Sequence, residues 1–293
     1  MKLIKYFTFL LLVSTAIYAD RGSIPFDPDV RIFEPTQRAM IVWNGTEEIL
    51  LLSTDMNASD STEVLEVLPL PSEPAVKKSD IEIFRKATAL INEKIREQHL
   101  LTDKRNGGKE RSSQVAGEIT FHEKIGAHDI SVAHVLDKDG FIKWVEKYLD
   151  SAGVQNPTIP EGLKTVVEEY LKENFTWFVF DLVSLDKELK TNDAIQYRFK
   201  TGNLFYPVKI MNTEEGYTSM TFLILTPELL RNFPGIPLDK INLQHQPITI
   251  TSDELRNLNE EMSELLGHKE EMKLRIWEIE GLISFFTKDL IAM

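Results

Sequence analysis

The sequence predicts an α+β fold, a large, mostly antiparallel sheet covered by four or five helices. Three observations carry this expectation. Asn44-Gly45 stands between the apolar runs Arg38–Trp43 and Glu47–Ser53, a strong hairpin signal because both turn residues tolerate positive φ. The run Phe175–Leu185 is rich in aromatic and β-branched residues and is closed by Asp186-Lys187-Glu188, which suits a central strand buried on both faces. Between such runs lie segments with apolar residues at helical spacing, such as Ile81, Phe84, Leu90, Ile91 and Ile95.

Along the chain, Thr62–Leu70 reads as a third strand, with Pro69 and Pro71 ending its pairing because proline has no N–H to donate. Asp80 is the expected cap of a helix reaching about Gln98. The polar, glycine-containing stretch 102–114 buries too little to offset its ordering entropy and is expected to be a mobile loop. Strands over Glu118–Lys124 and Asp129–Leu136 follow, then helices over about Gly140–Asp150 and Glu161–Glu173. Beyond the central run, strands are expected at Ile195–Thr201, Leu204–Met211 and Tyr217–Thr226, with Gly202-Asn203 as a second hairpin turn. Pro227–Pro247 reads as an irregular connection. A strand at Ile248–Thr251 leads to Ser252 as the cap of one helix carrying Leu255, Leu258, Met262, Leu265 and Leu266, with Gly267 at its end. A strand at Lys273–Glu280 and a closing helix with Leu282, Phe285, Phe286 and Leu290 complete the expectation.

The N-terminus carries Lys2 and Lys5, an apolar run from Tyr6 to Ile17, and Ala-Ile-Tyr-Ala ending at Ala19. This is the pattern of a secretory signal peptide over residues 1–19, cleaved after Ala19, and the run is shorter than the ~20 apolar residues that span a bilayer. The expected mature chain, 20–293, is one α+β domain, and its division into two packed lobes near 153–160 is left open. Its expected location is secreted or extracytoplasmic, in the cell envelope, with no transmembrane anchor after cleavage.

The formal net charge is −13, and a surface so acidic repels phosphate backbones, so nucleic acid is not an expected partner. An unknown protein or small-molecule ligand is. There is no cysteine, which excludes a thiol nucleophile, a thiolate zinc site and a lipid-modified cysteine. No cofactor motif is present, because Asn106-Gly107-Gly108 lacks the preceding strand and the Ser/Thr of a phosphate-binding loop.

His122, His128 and His134 are the candidate metal ligands, since imidazoles on neighbouring strands can converge on zinc or copper and an even 128/134 separation places both on one strand face. Ile130 and Val132 share that face, which favours packed histidines instead. Asp137, Asp139, Gly140, Ile142 and Glu146 match later positions of a calcium loop, but Val135 holds the first ligand position, and capping of the next helix explains the same residues. Ser131 lacks the glycine context of a nucleophile elbow, so no catalytic residue is assigned. Asn44, Asn57 and Asn174 fit the N-glycosylation pattern, with Asn44 expected at an accessible turn.

Glu48–Ser53 with Val64–Ser72, Ala127–Val132, and Phe141–Leu149 with Tyr197–Thr201 resemble, in order and spacing, a family of exported prokaryotic proteins catalogued as a domain of unknown function, the 2330 type. The resemblance runs from about Asp20 to Thr226, and Leu274–Ile291 is similar to the C-terminal extension of archaeal or bacterial members. Some members begin with a cysteine-glycine-rich motif that this chain lacks. The resemblance implies export and supplies no catalytic residues. The leading expectation is an exported, non-catalytic binding or structural protein. Its rivals are an exported hydrolase with a site assembled from distant loops and a metal-binding protein using the histidine cluster, so whether the chain is an enzyme stays undecided at this stage.

Overall fold

The computed structural model describes residues 24–26, 30, 32–103, 128–151, 154, 157–191, 194–212, 217–267 and 271–292. The first half of the chain forms β1 (Ile24–Pro25), β2 (Ile32–Trp43), β3 (Glu47–Ala58), β4 (Thr62–Leu70), β5 (Ala75–Ser79), α1 (Glu82–Asp103), β6 (His128–His134) and α2 (Phe141–Ser151). Next come α3 (Glu161–Lys172), β7 (Trp177–Leu185), β8 (Lys190–Thr191), β9 (Ala194–Lys200), β10 (Leu204–Tyr206) and β11 (Tyr217–Thr226). The remainder is β12 (Ile241–Leu243), β13 (Ile248–Thr251), α4 (Ser252–Leu258), α5 (Glu260–Leu266), β14 (Glu271–Leu282) and β15 (Leu290–Ala292).

The fold is α+β, and its larger sheet is mixed. Its order is β12-β14-β11-β2-β3-β9-β5, with β13 added on β14 and β8 on β3. The β2/β11 pair is parallel and the other pairs of this sheet are antiparallel. A smaller antiparallel sheet runs β1-β4-β7-β6, and β10 pairs with β15. The run Phe175–Leu185 accordingly supplies β7 in the interior of a sheet, between β4 and β6.

Strand alternation sends the two sets of side chains of β2 and β3 to different clusters. Met40, Val42, Ile49 and Leu51 pack with Phe84, Ala87 and Ile91 of α1, Leu255 and Leu258 of α4, and Met262, Leu265 and Leu266 of α5. Ala39, Ile41, Leu50 and Leu52 face the other way, into a cluster shared with the smaller sheet, α2, α3 and β10. Both faces of these strands are dry, which is why their sequences read as nearly continuous apolar runs.

The β2/β3 hairpin forms where Asn44-Gly45 predicts it, with Gly45 at φ +103°. The Asn44 Oδ1 accepts the N–H groups of Thr46 and Glu47, and its Nδ2 donates to the Leu265 carbonyl at 2.9 Å, which fastens the turn to α5. Asn44 is half-buried and its amide nitrogen is engaged, so this turn is less open than the sequence suggests.

Several expectations change. Pro69 stays within β4, opposite Phe178. β1 reaches only Val64 and Leu65, so beyond Leu65 one side of β4 asks for no N–H from Pro69 among the described residues. Leu204–Met211 is not one strand: it breaks at Pro207 and ends in a 3₁₀ turn at Lys209–Met211. Gly202-Asn203 redirects the chain without forming a hairpin, since β9 pairs with β3 and β5 while β10 pairs with β15. The helix expected from Ser252 is capped by Thr251, in a capping box with Glu254, and is split at Asn259, whose side chain accepts the Met262 N–H and starts α5. The closing helix is instead a 3₁₀ turn, Ile283–Phe285, followed by β15, because pairing with β10 outweighs a short helical pattern. The strand expected at Glu118–Lys124 and most of the stretch 102–114 lie outside the described residues.

Candidate functional site

β6 sets His128 opposite Val183 and His134 opposite Trp177. Six residues of extended strand span about 20 Å, so one ion with bonds of about 2 Å does not reach both positions. The even spacing that places them on one face also holds them apart. The His134 ring is exposed and stacks on Trp177, with centroids 4.1 Å apart and planes 9° from parallel. His122 lies outside the described residues. Among the described residues, no three His, Asp or Glu side chains gather where they could hold a metal ion. Asp137 folds back over its own turn, its Oδ1 accepting the Asp139 N–H at 3.2 Å just ahead of α2. The Ser131 hydroxyl meets the Tyr148 hydroxyl of α2.

The polar groups with the most unusual settings lie inside the molecule. The Ala58 N–H donates to the Asp186 carbonyl at 2.7 Å and joins the end of β3 to the end of β7. Counting back from this joint, Met56 and Val183 belong to one small apolar cluster, while Leu52 and Val179 belong to the main one. Thr54 and Asp181 stand at the boundary. Strand register sets Gln37 opposite Thr54 and Glu66 opposite Asp181, and all four are buried. A polar layer therefore divides the apolar interior between the two sheets. The Gln37 carboxamide and the Thr54 hydroxyl have no hydrogen-bond partner among the described residues.

Glu48 lies on the same face of β3 and is completely buried. Its Oε2 accepts the Phe205 N–H at 2.8 Å, linking β3 to β10, and burial pushes its carboxyl well above the usual carboxylate range.

Asp289 sits at the junction of three segments. Its Oδ1 accepts the Tyr170 hydroxyl of α3 at 2.6 Å and the Lys209 N–H at 2.9 Å. The Lys209 Nζ donates to Glu173 at 2.7 Å and lies 4.2 Å from the centre of the Tyr170 ring. Burial raises the Asp289 carboxyl to about 6, against the two donated hydrogen bonds and the Lys209 charge that lower it. Burial likewise raises the Tyr170 hydroxyl, with the Asp289 charge adding to the effect.

On the helix-bearing face, Arg38 pairs with Asp55 through two hydrogen bonds of 3.1 and 2.6 Å. Nearer the hairpin, Arg198 of β9 donates to both Glu47 oxygens and to Glu261 of α5, and Gln196 and Lys77 also donate to Glu261. This network fastens α5 to β3, β5 and β9.

Residues 16–232 match a family described as an uncharacterized protein conserved in bacteria (DUF2330). The chain belongs to this family. The DUF2330 region ends within the connection before β12, so Tyr170 and Lys209 lie inside it and Asp289 lies beyond it. Among solved structures, the chain is similar to the crystal structure of baculovirus P35, with a TM-score of 0.45, 9% identity and coverage of 92% of this chain and 98% of that one. No curated protein matches the chain.

None of the interior groups was singled out from the sequence. The available signal was a polar residue set into an apolar strand, as Glu66 is in Val64–Leu70 and Asp181 in Trp177–Leu185. Asp289 follows Thr287 and Lys288 in a short polar run between Phe286 and Leu290, which reads as a surface turn.

Proposed function

We propose that this member of the DUF2330 family is an exported bacterial protein of the cell envelope or external medium, acting by binding or as a structural component and without catalysis. The observation that carries this reading is the N-terminal pattern: Lys2 and Lys5, the apolar run Tyr6–Ile17, and small residues up to Ala19. No helix among the described residues is long and apolar enough to cross a membrane. Supporting the non-catalytic half, the buried ionisable groups join elements of the fold: Glu48 holds β10, Asp289 holds α3 and the Lys209 turn, and Arg38 holds Asp55. The partner is a protein or small-molecule ligand, and the acidic balance disfavours nucleic acid.

The test is to express the full chain with its own N-terminus in a bacterium, fractionate the cells and sequence the recovered protein. The reading expects a start at Asp20 in the extracytoplasmic fraction. A start at Met1 in the cytosol contradicts it. The non-catalytic half is tested with ester, peptide, glycoside and phosphoester substrates; turnover abolished by Ser131→Ala or Asp289→Asn overturns it.

A further inference from the structure

We propose that His245 is a proton-operated clasp: its neutral ring holds the connection between β12 and β13 against the edge of β14, and taking up a proton releases that connection.

Pairing along this edge of β14 has a gap. β12 ends with Leu243 opposite Trp277, and β13 begins with Ile248 opposite Leu274. Residues 244–247 therefore run past Arg275 and Ile276 alone, too many for the ladder to continue in register. The Gln244 N–H reaches the Ile276 carbonyl at 3.4 Å, while the Ile276 N–H donates to a side chain, the Nε2 of His245, at 3.1 Å. Across the ring, Nδ1 lies 2.6 Å from the Gln246 carbonyl oxygen. A backbone N–H can only donate and a carbonyl can only accept, so Nε2 carries a lone pair and Nδ1 carries the proton. One tautomer of the neutral ring meets both demands. An imidazolium sets an Nε2–H against the Ile276 N–H, donor against donor, and leaves that amide without its acceptor.

The clasp can open without disturbing the core. His245 and Pro247 are half-buried and Asn242, Leu243, Gln244 and Gln246 are exposed, whereas Ile236 and Ile248 are buried and anchor the connection on either side. Arg275 is the charged group that faces the ring: its Nε donates to the His245 carbonyl at 3.3 Å, and its charge opposes a second one on the imidazole. Farther along β14, Glu278 accepts from Asn242 and Lys273 donates to Thr249, and neither β12, β13 nor residues 244, 246 and 247 bring a titratable side chain. Burial lowers the affinity of the ring for a proton, Arg275 lowers it further, and the bond to Gln246 opposes both. With the folded value below the ordinary 6.5, the contribution of the clasp is fully present above 6.5 and is lost as pH falls through the lowered value. The inference stands whether or not the chain is exported.

Nuclear magnetic resonance of the full chain tests it. The nitrogen-15 shifts of the His245 ring give its tautomer and its midpoint. Hydrogen exchange of the Ile276 amide, corrected for the intrinsic pH dependence and referred to the amides of β3, gives the opening from pH 8 to pH 4.5. The Nδ1–H form is expected at pH 8, with a midpoint below 6.5. Opening of Ile276 is expected to rise as pH falls, by about tenfold for each unit that separates this midpoint from the ordinary value. His245→Gln keeps an acceptor near the Nε2 position and does not titrate, so Ile276 is expected to stay protected with a profile flat to within about twofold. His245→Leu removes the acceptor and is expected to open Ile276 at every pH, also without a slope. An Nε2–H form, a midpoint at or above the ordinary value, a flat wild-type profile, or a slope retained in either variant overturns the proposal.

Discussion

Arg38 grips both carboxylate oxygens of Asp55 across the β2/β3 pair, and both residues are buried beneath the larger sheet's helix-bearing side. Removing one partner leaves a charge in a poorly solvated place. Asp55→Ala is therefore expected to destabilise the fold by about 3–5 kcal/mol in urea unfolding, and Arg38→Met with Asp55→Leu to recover most of that loss. A loss of less than about 1 kcal/mol in the single variant would show that the pair is well hydrated.

Glu48 carries a different prediction, because burial pushes its carboxyl upward. Its raised folded value means that its contribution to stability is fully present below the ordinary carboxylate range and is lost as pH rises through the raised value. Glu48→Gln keeps an acceptor for the Phe205 N–H and cannot ionise. Its stability is expected to equal the wild type in acid and to exceed it increasingly toward alkaline pH, measured by thermal unfolding from pH 4 to pH 9. Parallel curves for the two proteins would contradict the assignment.

The polar layer between the sheets makes a third prediction. A buried hydroxyl without a protein partner costs about 1–3 kcal/mol relative to a satisfied one. Thr54→Val, which keeps the shape and removes the hydroxyl, is expected to stabilise the protein by about 1 kcal/mol in chemical denaturation. Destabilisation by a similar amount would mean that the hydroxyl is bonded within the folded protein.

How far the sequence speaks is clear from particular elements. β4, β11 and β13 run over the residues their pattern predicts, and the Asn44-Gly45 hairpin is where turn chemistry puts it, because these signals are local. The helix expected around Leu282, Phe285, Phe286 and Leu290 fails for the opposite reason: its spacing is helical, yet β15 finds a partner in β10, far away in sequence. Asn259 splits an apparently continuous helix because an asparagine followed three residues later by a free N–H is itself a cap. The interior groups were illegible on the same grounds. Asp289 meets Tyr170 at a separation of 119 residues, and Glu66 meets Asp181 only through the register of β4 on β7. The histidine spacing is also local: β6 runs from His128 to His134, and the length of that strand separates the two positions.

Export is decided by the intact mass of the protein recovered from the extracytoplasmic fraction. A chain beginning at Asp20, with residues 1–19 gone, is the expected result. A full-length chain that begins at Met1 and stays in the cytosol would contradict it.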